Sequence, residues 1–301
     1  MKPLLASILG SIAAIAPWPA LAALNIVACE PEWGALAKEI GGDRVNVYVA
    51  TTALQDPHRI EARPSLIARA RNADLMVCTG AELEIGWVPL LQTQSGNPKI
   101  QAGQPGFFEA ASVVALLERP ARLDRSLGDV HPFGNPHIHL DPRNIERVAA
   151  ALDERMAQLD PAQAAYYRER EEQFLARWRE AMARWGKAAA PLKGLPLVVY
   201  HKDLTYLIGW LGMREVGALE PKPGLPPSTA HLTQLVEQLR RTPAQMVVRS
   251  AYSDPRPAEW LAGQARIPVV TVPFTVGGTD KAKDLFSLYE DTLSRLLAVA
   301  R

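Results

Sequence analysis

The sequence predicts an α/β protein of two lobes, each a mostly parallel sheet flanked by helices, joined by a long rigid connector helix. Short apolar runs alternate with helical segments before residue 117 and again after residue 195, and repeated β-α units of this kind favour parallel sheets. The 301-residue chain also exceeds what one compact core usually serves. We therefore predict lobes at residues 23–141 and 191–301 and a helical connector at residues 142–190.

In the N-terminal block, three apolar runs read as strands and the segments between them as helices. A helix from Trp33 to Ile40 is stopped by two glycines, the usual C-terminal signal. The other predicted helices cover 64–71 and about 86–91, and the strands are 24–29, 45–49 and 73–78.

The connector is marked by two Asp-Pro pairs, which combine an N-cap residue with the residue favoured at the first helical position. They predict helices from Pro142 to about Gln158 and from Pro161 to about Lys187. The second carries an aromatic stripe at helical spacing, which is more typical of a core face than of a cofactor site: Tyr167, Phe174, Trp178, Met182 and Trp185.

The C-terminal block resumes the alternation without repeating the sequence of the first. Predicted strands are 197–200, 246–248 and 267–272, and a terminal amphipathic helix runs over 283–297. A proline-rich loop at 221–227 lies between elements.

The first 22 residues have the pattern of a secretory signal peptide. Lys2 precedes an apolar run over residues 4–16, and small residues end at Ala22, so we expect cleavage after Ala22 or Ala23. The run is too short to span a bilayer, and Cys29 lies too far downstream to carry a lipid. We expect an exported chain in the periplasm that is not membrane-anchored.

Charge composition argues against a nucleic-acid partner. The chain has 33 Lys+Arg and 32 Asp+Glu, so removal of Lys2 leaves 32 of each and a formal net charge of 0. Nucleic-acid binding would require a basic excess. We expect a monomer.

Cys29 and Cys78 each close an apolar run. If those runs are neighbouring parallel strands, the two thiols lie at one level of the sheet. A disulfide is the favoured interpretation in an oxidising compartment. Two free thiols or a metal-binding pair are the alternatives, although the Cys-x-x-Cys spacing of zinc sites is absent.

Four potential metal ligands fall where a cleft between the lobes would lie. Ligands of open α/β sheets bind beyond the carboxyl ends of the strands, and small-molecule sites favour clefts between domains. His201 ends a predicted strand, His58 lies a few residues beyond another, His137 precedes the connector, and Asp280 follows a Gly277-Gly278 turn. We predict a divalent cation site there.

Each candidate also has a purely structural interpretation. Asp280 is equally suited to capping the helix that follows. His139, two residues from a candidate ligand in an extended loop, would compete with it for the same space. His131 is either close to the metal or on the surface, and His231 at a helix start is expected to be exposed without a role.

Several motifs resemble those of one family: Asp56-Pro57-His58, Ala73-Asp74-Leu75 with Gly80 and Glu82, Asn135-Pro136-His137 with Leu140-Asp141-Pro142, Tyr200-His201 and Glu220-Pro221. The chain resembles the metal-specific solute-binding proteins of bacterial ABC importers, the ZnuA/TroA-like group, over essentially its whole mature length. This resemblance implies two α/β lobes joined by a rigid helix, with the ion held by His58, His137 and His201.

The chain departs from that group at two places. The fourth, acidic ligand of the family has no direct match, because the corresponding stretch is 273–278 and Asp280 is the nearest carboxylate; water or another histidine are alternatives. At the second place, His139 stands where members of the family often have an aromatic residue. The chain also lacks the His-rich acidic loop of many zinc-binding members, so no auxiliary metal-gathering role is expected.

Three neutral imidazoles with at most one carboxylate favour Zn(II) over Mn(II). The expected function is a periplasmic, non-enzymatic protein that captures Zn(II) as transported ligand and delivers it to an ABC importer permease. The alternatives are a Mn(II)-specific member of the same group and a secreted zinc hydrolase, for which Glu61 or Glu220 are weak candidates as general base.

Overall fold

The computed structural model describes residues 23–120, 128 and 131–300, so the predicted signal peptide lies outside the described part of the chain. Its N-terminal lobe contains a sheet in the order β2-β1-β3-β4 in which all neighbours are parallel. The strands are β1 Leu24–Ala28, β2 Val45–Val49, β3 Leu75–Cys78 and β4 Phe107–Glu109.

The C-terminal lobe contains a second parallel sheet with the equivalent order, β6-β5-β7-β8. Its strands are β5 Pro196–Val199, β6 Arg214–Ala218, β7 Met246–Ser250 and β8 Val269–Val272. The predicted fold class is therefore confirmed. Strands β4 and β6, which the sequence did not reveal, lie at sheet edges.

Helices cover both sheets and join them. They are α1 Pro31–Gly41, α2 Pro64–Arg71, α3 Val88–Ser95, α4 Pro142–Leu159, α5 Ala164–Ala188, α6 Thr205–Leu211, α7 Thr229–Arg241, α8 Pro255–Ala265 and α9 Leu285–Val299. Within the described ranges, none of them combines the length and the hydropathy that crossing a bilayer requires.

Helix α1 packs unusually close to its sheet, which Gly34 makes possible. A Cβ atom at Gly34 would lie 2.5 Å from the Val49 side chain at the end of β2. The small residue thus brings α1 against the strand that leads toward His58.

The connector consists of α4 and α5. Asp141 caps α4 as predicted, since its side chain accepts a hydrogen bond from the Arg143 amide. Asp160 was expected to cap the next helix directly, but α5 begins only after a 3-10 turn at Pro161–Gln163. The Asp160 carboxylate instead accepts a hydrogen bond from the Tyr167 hydroxyl at 3.0 Å.

The aromatic stripe of α5 is core, as predicted. Tyr167, Phe174, Trp178 and Trp185 are buried, whereas Met182 is only partly covered. Trp185 stacks on Tyr289 of α9 at 5.0 Å between ring centroids. Because α5 also packs against α1 of the other lobe, one continuous apolar core links the connector to both lobes.

Strands β1 and β3 are hydrogen-bonded neighbours, with Ala28 opposite Val77. The next residue on each strand is a cysteine, and Cys29 and Cys78 form a disulfide across a sequence separation of 49 residues. The favoured interpretation of the two cysteines is confirmed.

Candidate metal centre

Three histidines from separate segments meet between the lobes. His58 lies beyond the end of β2, His201 two residues beyond β5, and His137 just before α4. One ligand atom from each lies within 4.8 Å of the others. The ring centroids are 5.5 Å apart for His58 and His137, 5.9 Å for His58 and His201, and 5.6 Å for His137 and His201. The three imidazoles therefore share one small volume.

Two of these rings are oriented by carboxylates. Nδ1 of His58 lies 2.7 Å from Oδ1 of Asp56, and Nδ1 of His201 lies 2.7 Å from Oε2 of Glu220. An Nδ1–H that donates to a carboxylate leaves the lone pair on Nε2, which is how metal-binding histidines are commonly held. Both rings thus present a basic nitrogen to the cleft.

His137 is buried, with 1% of its surface exposed. Its Nδ1 has no hydrogen-bond partner among the described residues, and its ring meets Phe274 edge-on at 5.5 Å. Burial, together with the neighbouring His58 and His201, lowers the pKa of His137 well below the usual value. The ring is therefore neutral at physiological pH, the form that a cation requires.

A fourth imidazole stands at the cluster. Nε2 of His131 lies 3.3 Å from Nε2 of His58, and its ring centroid is 6.4 Å from that of His137. Burial and the nearby His58 and His201 lower the pKa of His131 to about 4. Sequence reasoning left its position open because His131 follows no predicted strand or cap.

The structure does not bring Asp280 to these imidazoles. Asp280 is exposed in a turn. The group of ligand atoms that lie within 4.8 Å of one another comes from His58, His137 and His201 and includes neither Asp280 nor His131 among the described residues, although His131 is in contact with His58. The loop after β8 closes on itself, with the Gly277 amide donating to the Ala282 carbonyl at 2.6 Å. Asp280 is exposed within this loop, while the ring of Phe274 lies beside His137 at 5.5 Å between centroids.

His139 faces a different site from His137, because residues Ile138–Leu140 form a 3-10 turn and not the expected loop or extended run. Nε2 of His139 lies 2.9 Å from the Phe274 carbonyl oxygen, and Nδ1 lies 3.1 Å from Oε1 of Glu32. These buried contacts tie the N-terminal lobe to the loop after β8.

His231 is also different from expectation. It is partly buried, and its Nε2 lies 2.9 Å from the Ala218 carbonyl oxygen at the end of β6. The side chain anchors the start of α7 and lies outside the cluster of converging ligand atoms.

A cavity of about 190 Å³ leads to the imidazoles from solvent. Glu118 and Lys202 line its mouth and pair at 3.0 Å, and Asn135 donates to the same carboxylate at 2.9 Å. Burial alone would raise the pKa of Glu118, but these hydrogen bonds and the Lys202 charge lower it. Pockets for drug-sized molecules usually measure roughly 300–1,000 Å³, so this cavity suits a cation.

The sequence model of one family matches residues 26–299 and is described as zinc-uptake complex component A, periplasmic (ZnuA). The chain belongs to this family. Its members among known relatives are substrate-binding proteins of metal ABC transporters.

Similar proteins are named either for zinc or for manganese transport. The manganese ABC transporter substrate-binding lipoprotein scaA of Streptococcus gordonii is 24% identical over 282 residues, 88% of this chain and 84% of the relative. The high-affinity zinc uptake system protein ZnuA of Bacillus subtilis is 21% identical over 231 residues, 75% and 70% of the two chains. The names of the relatives therefore do not decide between zinc and manganese, and the metal has to be inferred from the ligand residues.

Solved structures of the family share the fold. A crystal structure of ZnuA superposes with a TM-score of 0.77 at 22% identity, covering 93% of this chain and all of that one. A manganese-bound periplasmic metal-binding protein from Candidatus Liberibacter asiaticus gives a TM-score of 0.74 at 16% identity, covering 92% of this chain and 100% of that one. The two-lobed architecture is therefore the family's architecture.

Proposed function

We propose that this protein captures Zn(II) between its lobes and delivers it to the permease of an ABC importer. The observation that carries the proposal is the convergence of His58, His137 and His201 within 4.8 Å. Two of these rings are already oriented by carboxylates, and the third is buried with a free ring nitrogen. Little rearrangement is then needed to bind a cation.

The donor set favours zinc. Imidazole nitrogen suits Zn(II), whereas Mn(II) prefers carboxylate, carbonyl and water oxygens. In a tetrahedral zinc site with Zn–N bonds of about 2.0–2.1 Å, two ligand nitrogens lie about 3.3–3.4 Å apart. The separation of 3.3 Å between the Nε2 atoms of His58 and His131 fits that spacing.

We assign His131, and not Asp280, as the fourth ligand. His131 faces the cluster and is neutral at physiological pH, since burial depresses its pKa to about 4. Asp280 lies exposed in its loop. A site of four histidines has no open coordination position, which catalytic zinc sites require, so a hydrolase is disfavoured.

Export and handover complete the proposal. The leader-like residues 1–22 direct the chain to the periplasm, where it works as a monomer without nucleic acid. Because one core links α5 to both lobes, the lobes resist wide separation. Release then requires the permease to displace the loops that carry the histidines.

Zinc titration of single variants tests this assignment. Affinity is measured for Zn(II) and Mn(II) by competition with a chelator, using purified mature protein. Alanine at His58, His137 or His201 is expected to cost more than the roughly 10–100-fold that loss of an outer partner costs. His131→Ala is expected to weaken zinc binding clearly.

Asp280→Ala and His231→Ala are the matched controls, and neither is expected to change the affinity. Tighter binding of Mn(II) than Zn(II) would contradict the choice of metal. A large loss in Asp280→Ala with none in His131→Ala would contradict the fourth ligand. Turnover of ester or peptide substrates by the zinc-loaded protein would favour the hydrolase.

A further inference from the structure

The side chain of Asn135 lies between two of the segments that carry the converging histidines. Asn135 is buried, with 7% of its surface exposed, and it lines the cavity that leads to the imidazoles. Its Oδ1 accepts a hydrogen bond from the amide of His137 at 3.0 Å. Its Nδ2 donates to the carbonyl oxygen of Lys202, the residue after His201, at 2.7 Å. One carboxamide therefore joins the backbone before α4 to the backbone that follows β5 in the C-terminal lobe.

The partners of this carboxamide decide which way it faces and which residue type can stand here. The amide of His137 only donates, so it requires an oxygen, whereas the carbonyl of Lys202 only accepts, so it requires an N–H group. Nδ2 also donates to Oε2 of Glu118 at 2.9 Å. Aspartate has the same size but would bring a carboxylate, which is an acceptor, to both of these oxygens. Asparagine alone among side chains of this shape satisfies all three partners.

The backbone of Asn135 is held by hydrogen bonds as well. Its amide donates to the carbonyl of Leu117 at 2.8 Å, and its carbonyl accepts from the hydroxyl of Tyr206 at 2.8 Å. The same hydroxyl accepts from the amide of Leu117 at 3.0 Å. Because Tyr206 belongs to α6, Asn135 contacts the C-terminal lobe through both its main chain and its side chain.

A second Asn-Pro turn shows which part of this arrangement is purely local. Asn97 also precedes a proline, and its Oδ1 accepts from the amide two residues on at 3.0 Å. Its Nδ2 donates to the carbonyls of Ala70 and Ala73, at 2.9 Å and 2.7 Å, on the side of the sheet where β3 begins. The histidines lie at the opposite edge, beyond the carboxyl ends of the strands. Asn135 differs from Asn97 in that its amide group reaches the other lobe, next to His201.

We propose that Asn135 is a positioning residue for metal capture: its carboxamide sets the separation between the segments that carry His137 and His201. This inference rests on the proposed function, because it concerns two ligands of that site. The rings of His58 and His201 are oriented by carboxylates, but Nδ1 of His137 has no hydrogen-bond partner among the described residues. The placement of His137 therefore depends on ring packing and on the backbone that Asn135 holds.

Replacing Asn135 by serine separates the link between the lobes from the local turn. A serine hydroxyl can still accept from the amide of His137, as asparagine and serine both do in such turns, but it ends one bond short of the position of Nδ2. We expect Asn135→Ser to weaken zinc binding about 10–100-fold, as loss of an outer partner of a metal site does. Zinc affinity is measured by competition with a chelator, using purified mature protein.

Asn97→Ser is the matched control, because it shortens the same kind of side chain in the same kind of turn at the far edge of the sheet. It is expected to leave zinc affinity unchanged. Urea unfolding of the metal-free proteins shows how much stability each substitution costs. Where Asn135→Ser does not fold, Asn135→Asp, which keeps the size and the acceptor but loses the donor, takes its place with Asn97→Asp as control.

Cobalt(II) bound in place of zinc reports the geometry of the ligands. Four-coordinate Co(II) absorbs visible light much more strongly than six-coordinate Co(II). If Asn135 sets the separation of two ligands, Asn135→Ser is expected to lower the visible absorption per bound ion, because water replaces a displaced imidazole. Asn97→Ser is expected to give the wild-type spectrum. A merely structural role of Asn135 would lower stability and leave the spectrum unchanged.

A loss of affinity confined to Asn135→Ser, together with the change in absorption, supports the positioning role. Three results would overturn it and leave zinc capture intact: an affinity of Asn135→Ser within about threefold of the wild type, an equal loss in Asn97→Ser, or an unchanged Co(II) spectrum. Failure of the wild type to bind zinc would overturn the proposed function as well.

Discussion

The hydrogen bond between His201 and Glu220 predicts how strongly a remote carboxylate contributes to zinc binding. Oε2 of Glu220 lies 2.7 Å from Nδ1 of His201 and also accepts from the Gly224 amide at 2.8 Å. Glu220→Gln keeps the size of the side chain and removes its charge. The substitution thus changes the electrostatic environment of the His201 ring while keeping His201, the proposed metal ligand, in place.

The expected loss of zinc affinity in Glu220→Gln follows from the charges around His201. Burial alone would lower the pKa of this histidine, but the Glu220 hydrogen bond and the charges of Asp203 and Glu220 raise it overall. The same negative charge strengthens the bond from Nε2 to a metal. Loss of such a partner typically costs about 10–100-fold in affinity, or roughly 1.4–2.7 kcal/mol.

The effect of Glu220→Gln on zinc affinity is also expected to depend on pH in one direction. Protons and zinc compete for Nε2 of His201, and Glu220 favours both. In Glu220→Gln the pKa of His201 falls, so protons compete less at low pH. The difference in affinity between wild type and variant is therefore expected to be largest near about pH 8 and to narrow toward about pH 6.

The zinc affinities are measured by chelator competition at these pH values. The matched control is Glu237→Gln, which changes an exposed glutamate on α7 that pairs with Arg240. A loss below about threefold at the higher pH would refute the reasoning, since outer partners of metal-binding histidines contribute more than that. A gap that widens as the pH falls would refute it equally.

Three further measurements test the same structure. In the wild type, zinc affinity is expected to fall as the pH decreases, by up to about tenfold per pH unit for the proton that competes at His201, whose pKa is raised; an affinity unchanged between about pH 7 and pH 5 would contradict this. Replacing Cys29 and Cys78 by serine opens a loop of 49 residues and is expected to lower the free energy of unfolding in urea by about 4 kcal/mol. Zinc stoichiometry should stay at one in that variant, and a loss below about 1 kcal/mol would contradict the estimate. Glu30→Gln replaces a buried ionisable group, whose pKa burial raises well above its ordinary value, by a neutral one. The wild-type protein is therefore expected to lose stability as the pH rises above the ordinary glutamate pKa of 4.5, and the variant is not. The stability of Glu30→Gln relative to wild type should therefore grow with pH, by at most about 1.4 kcal/mol per unit, and a constant difference would contradict this.

Strands with strong apolar patterns were predictable, and weak ones were not. The run at 45–49 is a strand with the predicted bounds, since most of its residues are β-branched or aromatic. Strand β4, Phe107–Glu109, has only three residues, and β6, Arg214–Ala218, includes a glycine and is mostly half-exposed. Strand β2 is an edge strand too, so the difference lies in the residues: a three-residue strand and a strand interrupted by glycine carry little periodic signal.

The histidines show where local pattern stops being informative. His58 and His201 follow predicted strands of the two different sheets. Because ligands of open α/β sheets bind beyond the carboxyl ends of the strands, and small ligands favour clefts between domains, the approach of both residues to the cleft was predictable. Asp280 and His131 both lie in loops whose path no periodic pattern describes. Only the tertiary structure distinguishes them: the closed loop after β8 leaves Asp280 exposed, whereas Nε2 of His131 lies 3.3 Å from Nε2 of His58.

By itself the sequence predicted two mostly parallel sheets, the capped connector helix, and three histidines near strand or helix ends; the pairing of Cys29 with Cys78 was only favoured, and the adjacency of β1 and β3 decided it. These features depend on residues close in the chain, whose spacing and chemistry act locally. The tertiary structure alone decided the surroundings of His131 and the inter-lobe contact of His139. Those depend on a 3-10 turn at Ile138–Leu140 and on His58, Glu32 and Phe274, which come from distant segments and meet these histidines only when the whole chain is packed.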